Sequence, residues 1–394
     1  MKNSVKHLTA VAVSLLVLGT AAGAPSASAT QPTVGLRTTT PFDVGATCQP
    51  AQPDSCSLRQ LADLRGMHIG ATVTHGRLSD PAYASTLSTQ FNSVTPDNDL
   101  KWTAVQPAPG DWQFAAAETD LAFADANGMA FRGHNLIYNQ DPRNPAWVTS
   151  ISDPTQLRQA VQTEIQTVVG HFAGRIKRWD VVNEPIATFG VGPQDSVFQR
   201  ELGPGWVDWC FQLAHDADPS AELWLNEYGT DWYPGKFDAL VSFVKGMQKR
   251  GVPIYGVGLE MHRLNDDAVD VPTFVSQMKK LAKMGLKISL TEVDVPIPPN
   301  DDAALQLQAD VYGGIVGGCL QVPQCLDVTT WGLDDGHTWL DSLYVWPTPT
   351  RPLLFDANFA PKPAYDSVRL CLDRSVLKAA HVKKKLLPPC VGAK

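Results

Sequence analysis

From Leu64 to about Cys371 the sequence alternates between two patterns, and this alternation restricts the available folds more than any other feature. Short β-branched runs end in polar residues, and a longer segment of helical period comes after each one. Eight runs qualify as strands: residues 67–73, 91–95, 130–137, 176–182, 222–226, 254–258, 287–290 and 328–331. Between them, Leu157, Val161, Ile165, Val168 and Val169 form an apolar stripe after the helix-starting pair Asp153-Pro154. Phe237, Leu240, Val241, Val244 and Met247 form another. Gly251 after Lys249-Arg250 and Gly285 after Lys283-Met284 read as helix stops. Eight such units over about three hundred residues predict an α/β fold, a (β/α)8 TIM barrel forming a single catalytic domain. Strict alternation argues against two sandwich domains.

The flanks read differently. Lys2 and Lys6 form a short basic start before an apolar run from Leu8 to Ala22, and Ala27-Ser28-Ala29 supplies small residues for cleavage. Residues 1–29 are therefore expected to be an export signal. The run is short and rich in small residues for a membrane span, and no stop-transfer cluster follows, so an uncleaved anchor is the weaker reading. Residues 30–60 are expected to be a linker or arm, 61–372 the barrel, and 373–394 a tail whose Lys383-Lys384-Lys385 is a solvated basic surface.

Charge and cysteine usage narrow the partners. The chain has 32 Lys and Arg against 40 Asp and Glu, a net charge of −8, which becomes −10 when Lys2 and Lys6 leave with the signal. That balance lacks the basic footprint of a nucleic-acid binder. The expectation is a secreted, extracellular monomer, free of the membrane once the signal is removed, whose partner is a polysaccharide or oligosaccharide. Export permits disulfides. Cys319 and Cys325 are predicted to pair; Cys48 and Cys56 could close a short loop, and Cys371 and Cys390 would tie down the tail. Cys210 is left over as a buried free thiol. With no Cys-x-x-Cys or His-x-x-x-His spacing, neither a metal nor a cofactor is expected.

The chemistry lies in the residues at and just beyond the end of each strand. The second run leads to Asp97-Asn98-Asp99 with Lys101-Trp102 behind it, the third to His134 and the fourth to Asn183-Glu184. The fifth ends in Asn226-Glu227-Tyr228, and the sixth reaches Glu260 and His262. The seventh gives Glu292 and Asp294, the eighth Trp331 and Asp334. In a barrel these ends converge on one mouth. Taken singly, each carboxylate reads more readily as a structural hydrogen-bond partner, and His134 or Trp339 as packing. Together they read as a site. The sequence holds no Gly-rich phosphate loop and no Ser-His-Asp order. Two carboxylates across an aromatic-lined mouth suit glycosidic bond cleavage: one keeps a proton for the leaving oxygen, and the other is ionised. Trp102, Trp331 and Trp339 would offer faces for pyranose rings.

These residues carry a resemblance. Trp179-Asp180-Val181-Val182-Asn183-Glu184-Pro185, with Leu290-Thr291-Glu292-Val293-Asp294 placing Glu292 108 residues after Glu184, is similar to glycoside hydrolase family 10, the xylanases. VTPDNDLKW (94–102), Arg132-Gly133-His134, GVGLEMH (256–262), TWGLD (330–334) and the weaker PKPAY (361–365) extend the likeness over most of the chain. The resemblance implies a retaining β-glycoside hydrolase, first of all an endo-1,4-β-xylanase, with Glu184 as acid/base and Glu292 as nucleophile. It implies that His262 and Asp294 orient the nucleophile, that Asn183 holds the sugar 2-hydroxyl, and that Asn98, Lys101 and His134 contact the −1 and −2 sugars. Trp331 and Trp339 would roof the glycone side. Asp97, Tyr138, Gln140, Tyr228 and Glu260 complete the expected substrate-binding set. Glu292 and Asp294, two apart, share a face while the chain stays extended.

The sequence also departs from the family. Asp97 stands for Glu, about 1.5 Å shorter in reach. Tyr138-Asn139 stands for Trp-His with one residue fewer before Gln140, Gly229 for Asn, and Glu260 for Gln. None of these changes is expected to touch the two catalytic carboxylates directly, although Glu260 places a third carboxylate close to them, so that one of the group should titrate high and an acidic pH optimum is expected. All are expected to line the grip on the non-reducing sugars, weakening action on linear xylan. A family member acting on another β-glycan, or on a decorated or plant β-glycoside, therefore stays open. So does a carbohydrate-binding barrel without turnover, although both glutamates are present.

Overall fold

The computed structural model describes residues 48–50, 55–189, 192–263, 269–297, 302–343, 348–381 and 390. The expected export signal, most of the arm and Lys383–Lys385 lie outside the described residues. The strands are β1 (His68–Val73), β2 (Ser93–Pro96), β3 (Ala130–Gly133), β4 (Ile137–Tyr138), β5 (Arg178–Asn183), β6 (Glu222–Glu227), β7 (Gly256–His262), β8 (Lys287–Asp294) and β9 (Cys325–Thr330). They pair in parallel in the order β3-β2-β1-β9-β8-β7-β6-β5-β4, and a further pairing of β3 with β5 closes the sheet. Long helices lie between the strands, among them Pro154–His171, Lys236–Lys249 and Asp302–Cys319. The fold is a (β/α)8 barrel.

β3 and β4 succeed one another along β5. Arg132 and Gly133 face Arg178 and Trp179; Ile137 and Tyr138 face Val182 and Asn183. They form one barrel position interrupted at residues 134–136, which corrects the single run expected over 130–137. The interruption lets His134 reach inward, with Nδ1 3.0 Å from Asp180 Oδ2. β7 and β8 run on to His262 and Asp294, so those residues lie within strands rather than after them.

The helices form where pattern and caps agree. Asp153 accepts hydrogen bonds from the Thr155 and Gln156 amides, and the whole Leu157–Val161–Ile165–Val168–Val169 stripe is buried. Gly251 and Gly285 have φ of 76° and 85°, the left-handed conformation that ends a helix at low cost for glycine. Two boundaries differ from the sequence reading. The helix Leu58–Arg65 begins inside the expected arm, because Ser57 and Gln60 form a capping box and Leu58, Leu61 and Ala62 are buried. The helix Pro363–Ala379 continues past residue 372, packing on Asp302–Cys319 and burying Leu377.

The barrel interior is built around a buried cation. Arg132 donates to both Asp180 oxygens (2.9 and 2.5 Å) and to Ser289 Oγ (3.1 Å), and its guanidinium lies 4.9 Å from the Trp224 ring centre. A Cβ at Gly133 would collide with Trp179. Outside this core, Cys319–Cys325, Cys48–Cys56 and Cys371–Cys390 are disulfides, and Cys210 is a buried free thiol, as read from the sequence. Among the described residues no helix is long and apolar enough to cross a membrane.

One buried acid lies far from the mouth. Glu164, on the helix Pro154–His171, is fully buried, and neither carboxyl oxygen has a hydrogen-bond partner. Burial raises its pKa well above the ordinary 4.5. It is neutral in the folded chain and ionised in the unfolded one above that value. Its contribution is therefore fully present below pH 4.5 and is lost as pH rises toward the folded-state value, by about 1.4 kcal/mol per unit. Glu164→Gln should remove this loss, so that its stability relative to wild type is greater at pH 8 than at pH 5. Denaturant unfolding at the two pH values measures it, and an unchanged difference would rule out a neutral Glu164.

Candidate active site

Irregular backbone brings the two predicted catalytic carboxylates into the mouth. On β5 the register against β6 slips between Asp180 and Val182. Glu184, just beyond this strand, has a φ of 57° and an amide bonded to Asn226 O at 2.9 Å. On β8 the register slips against both neighbours: Leu290 and Val293 face Val328 and Thr330, while Thr291 and Asp294 face Glu260 and His262. Glu292 sits in this bulge, also with φ 57°. A bulge re-aims a side chain, and a left-handed non-glycine costs about 1–3 kcal/mol, held only where the surroundings fix it. The chain is thus not extended between Glu292 and Asp294, contrary to the sequence expectation. His262 joins them instead.

The His262 ring faces Asp294 Oδ2 through Nδ1 (2.9 Å) and Glu292 Oε2 through Nε2 (3.1 Å). Burial disfavours its charge, but the Asp294 charge and hydrogen bond, followed by Glu292, lift its pKa to about 10. A protonated His262 donates to both acids. Trp339 Nε1 donates to Asp294 Oδ2 (2.7 Å), its ring 4.9 Å from that of His262. Asn226 Nδ2 donates to Glu292 Oε1 (2.7 Å), and His134 Nε2 lies 3.9 Å from the same oxygen. Burial would raise the Glu292 pKa; the His262 hydrogen bond, with the charges of His134, His262 and Lys101, overcomes this and holds it below the ordinary value.

Glu184 has different company. Tyr138 Oη donates to Oε1 at 2.5 Å, Gln140 Nε2 donates to Oε2, and Asn183 Nδ2 is 3.4 Å from Oε1. Burial raises its pKa; the Tyr138 hydrogen bond opposes this, and the Glu292 charge adds to it, leaving the group above its ordinary value. The segment after Glu184 is anchored by Glu227, which accepts the Ile186 amide (2.9 Å) and pairs with the buried Lys236 (2.9 Å). Burial takes Glu227 up to about 8 against the pull of Lys236. The Lys236 ammonium also lies 3.2 Å from the ring centre of Tyr228, whose hydroxyl is 2.5 Å from Thr188 Oγ1.

The remaining predicted residues gather on the other side of Glu292. Lys101 Nζ donates to Asn98 Oδ1 (2.9 Å) and lies 5.6 Å from the Trp331 ring centre, and that ring meets His134 edge-on at 5.1 Å. Burial lowers the Lys101 pKa against the pull of Asp97 and Glu292, and burial raises Asp97 against Lys101. Two expectations are corrected. Trp102 offers no open face: it is buried between Trp147 and Phe198, with Nε1 on Gln106 Oε1. And one family departure does reach a catalytic carboxylate, since Tyr138 bonds Glu184; Glu260, expected close to Glu292, meets it through Asn226.

The sequence reading placed Asn226 at the mouth, in the Asn226-Glu227-Tyr228 strand end, without giving it a role, and it missed Asp180 as a site residue. Asp180 sits inside the Trp-Asp-Val-Val-Asn-Glu motif, one barrel layer below the mouth. Among the described residues, the trio of possible metal ligands Glu260, His262 and Glu292 has ligand atoms within 4.8 Å of one another. Both His262 nitrogens already face carboxylates.

Comparison with known proteins agrees with this geometry. Residues 57–370 match the profile of glycosyl hydrolase family 10. Endo-1,4-β-xylanase 3 of Hypocrea jecorina is 35% identical over 317 residues, covering 80% of this chain and 85% of that protein. Endo-1,4-β-xylanase A of Phanerodontia chrysosporium is 33% identical, covering 81% and 78%. Native xylanase 10B from Thermotoga maritima superposes with a TM-score of 0.77 at 31% identity, covering 82% of this chain and 99% of that one. Xylanase 10B from Thermotoga petrophila, in complex with xylobiose, gives 0.76 at 31% identity, covering 81% and 98%.

Asp294→Asn tests the electrostatic chain directly. It keeps an acceptor for His262 and Trp339 but removes the charge that most favours the imidazolium. The His262 pKa should fall from about 10, and the Glu292 pKa should rise toward its ordinary value. Carbon-13 NMR of labelled glutamate carboxyls, with Glu292 assigned through Glu292→Gln, should find its midpoint about one pH unit higher. An unmoved midpoint would mean that His262 does not transmit the charge of Asp294.

Proposed function

The chain belongs to glycosyl hydrolase family 10, and we propose that it is a secreted endo-1,4-β-xylanase cleaving the xylan backbone with retention, Glu184 serving as acid/base and Glu292 as nucleophile. The observation that carries this reading is the different company of two carboxyls in one buried mouth: Glu292 accepts from His262, which Asp294 holds, whereas Glu184 has only neutral donors, Tyr138 and Gln140 among them. In keeping with this, Glu184 is raised and Glu292 lowered. Environments that push paired acids apart assign the proton donor and the anion.

In the first step Glu292 attacks the anomeric carbon, and the bond to the leaving oxygen breaks as Glu184 gives that oxygen its proton. Asn183, fully buried beside Glu184, is suited to hold the 2-hydroxyl, a contact that strengthens as charge develops on the ring. Once Glu292 is esterified, its negative charge is gone, and with it part of what held the proton on Glu184. Tyr138 and Gln140 then stabilise the Glu184 carboxylate, which takes a proton from the attacking water. The water oxygen bonds to the anomeric carbon, the ester breaks, and both carboxyls return to their starting states.

Asp97, Asn98, Lys101, His134, Glu260, Trp331 and Trp339 are assigned to the glycone side, and Tyr228, beside the loop that carries Glu184, to the leaving-group side. Residues 1–29 as an export signal, and three disulfides, support action outside the cell. A second reading, another or a decorated β-glycan as preferred substrate, is favoured by Asp97 and by the Tyr138–Gln140 contacts with the acid.

A screen over xylan, β-glucans, mannan and aryl β-glycosides, read by reducing ends, separates the two readings. Glu292→Ala should lose activity on every substrate. Glu184→Ala should lose about 10²–10⁴-fold on xylan while sparing the first step on aryl glycosides with good leaving groups, which need little proton donation. Proton NMR should find the β-anomer as first product; the α-anomer appearing first would sink double displacement.

A further inference from the structure

Asn226, on β6, is an amide shared by more partners than it has hydrogens. Its Oδ1 accepts from Thr291 Oγ1 at 2.7 Å, which fixes which way the amide faces. Its Nδ2 then lies 2.8 Å from Asn183 Oδ1, 2.8 Å from Glu260 Oε1 and 2.7 Å from Glu292 Oε1. A carboxamide has two N–H groups, so three oxygens compete for two hydrogens. Rotating the amide would set its carbonyl oxygen against all three. Two of the three are carboxyls, and the shortage is relieved when one of these is neutral and so the weaker acceptor.

The groups around Glu260 decide which. It is buried on β7 in the field of Glu292, Glu184 and Glu227, with Lys236 as the counter-charge and Tyr138 in the same field. His262 lies close by but directs its nitrogens to Glu292 and Asp294. Glu292 therefore has the imidazolium, and Glu260 does not. Like carboxylates this close do not both ionise readily, and the proton goes to the one without a cation.

We propose, resting on the reading of Glu292 as nucleophile, that Glu260 is a positioning residue which stays neutral while Glu292 is ionised. Neutral, it makes only a weak claim on Asn226 and leaves that amide's two hydrogens to Asn183 and the nucleophile, and its own ionisation closes the alkaline side of activity. Burial first, then Glu292, Glu184 and Glu227, drive its carboxyl well above the ordinary range, in keeping with that geometry. Glu260 stands where the family resemblance leads one to expect glutamine. Protonated, it is glutamine's nearest neutral counterpart, with a carbonyl oxygen and a donor. Unlike glutamine, it can be switched off by base: the new anion competes for the Asn226 hydrogens and repels Glu292.

Two measurements test this. Carbon-13 NMR of glutamate-labelled wild type and Glu260→Gln identifies Glu260 as the signal missing from the variant. At pH 7 that signal should have the chemical shift of a protonated acid; a carboxylate shift would overturn the proposal. Glu260→Asp removes the same signal if the glutamine variant fails to fold. The second is the pH profile of kcat/KM on an aryl β-xylobioside with a good leaving group, for which the proton of Glu184 matters little. Glu260→Gln should move the alkaline limb up by about one pH unit or more. An unmoved limb overturns the proposal. Failure to turn over any xyloside would count against the xylanase reading, and the NMR measurement would still locate the proton.

Discussion

Burying several carboxyl groups in one small space makes their charges interdependent, and the mouth of this barrel is organised around that constraint. Desolvation drives Glu184, Glu260 and Glu292 toward the neutral form, and each raises the cost of ionising the others. The difference comes from the partners. Glu292 alone of the three accepts a hydrogen bond from His262, whose charge is in turn fixed by the buried Asp294. One asymmetric ion, placed on one side, selects which carboxyl is the anion. That selection gives chemically identical groups the different protonation that the proposed acid and nucleophile require.

The selection depends on positions that loops alone would not hold. Arg132 and Asp180, inside the barrel, fix His134 from below. Glu227 and Lys236 fix the segment following Glu184 and the face of Tyr228. Buried ion pairs contribute little net stability because desolvation offsets their attraction, but removing one partner leaves an uncompensated charge. Their value here lies in registration. Two left-handed glutamates and the register slips of β5 and β8 are tolerated because closed strands and buried pairs surround them.

The fold was largely legible because it depends on periodicity. Strand runs followed by helical stripes, capped by Asp153 and stopped by Gly251 and Gly285, are local signals, and the barrel is what eight of them can bury. The carboxylate pair was legible for the same reason: both glutamates lie at strand ends that must meet. The features that escaped notice were non-local. Nothing in the amino-acid order says that the strand over 130–137 breaks so that His134 can reach Asp180. Nothing near Trp102 announces that Trp147 and Phe198 cover it. A bulge at Glu292 defeats the two-residue periodicity from which a shared face with Asp294 was argued, and His262, thirty residues earlier, supplies the connection instead.

The family departures mark the limit of separating mechanism from specificity by sequence position. Tyr138, Gln140 and Glu260 were read as parts of the sugar grip, with Glu260 also expected near the two glutamates. In the fold Tyr138 and Gln140 occupy both oxygens of Glu184, and Glu260 shares a donor with Glu292. A residue that contacts a catalytic carboxyl and also lines the subsite acts on both binding and proton transfer. Changing the preferred sugar by altering such a residue also changes the pKa of the acid, and restoring that pKa requires a further change nearby. The tyrosine, the shortened loop and the extra carboxyl are therefore best understood as one coupled set. Exchanging any of them alone leaves the others tuned to a charge or a contact that is no longer there.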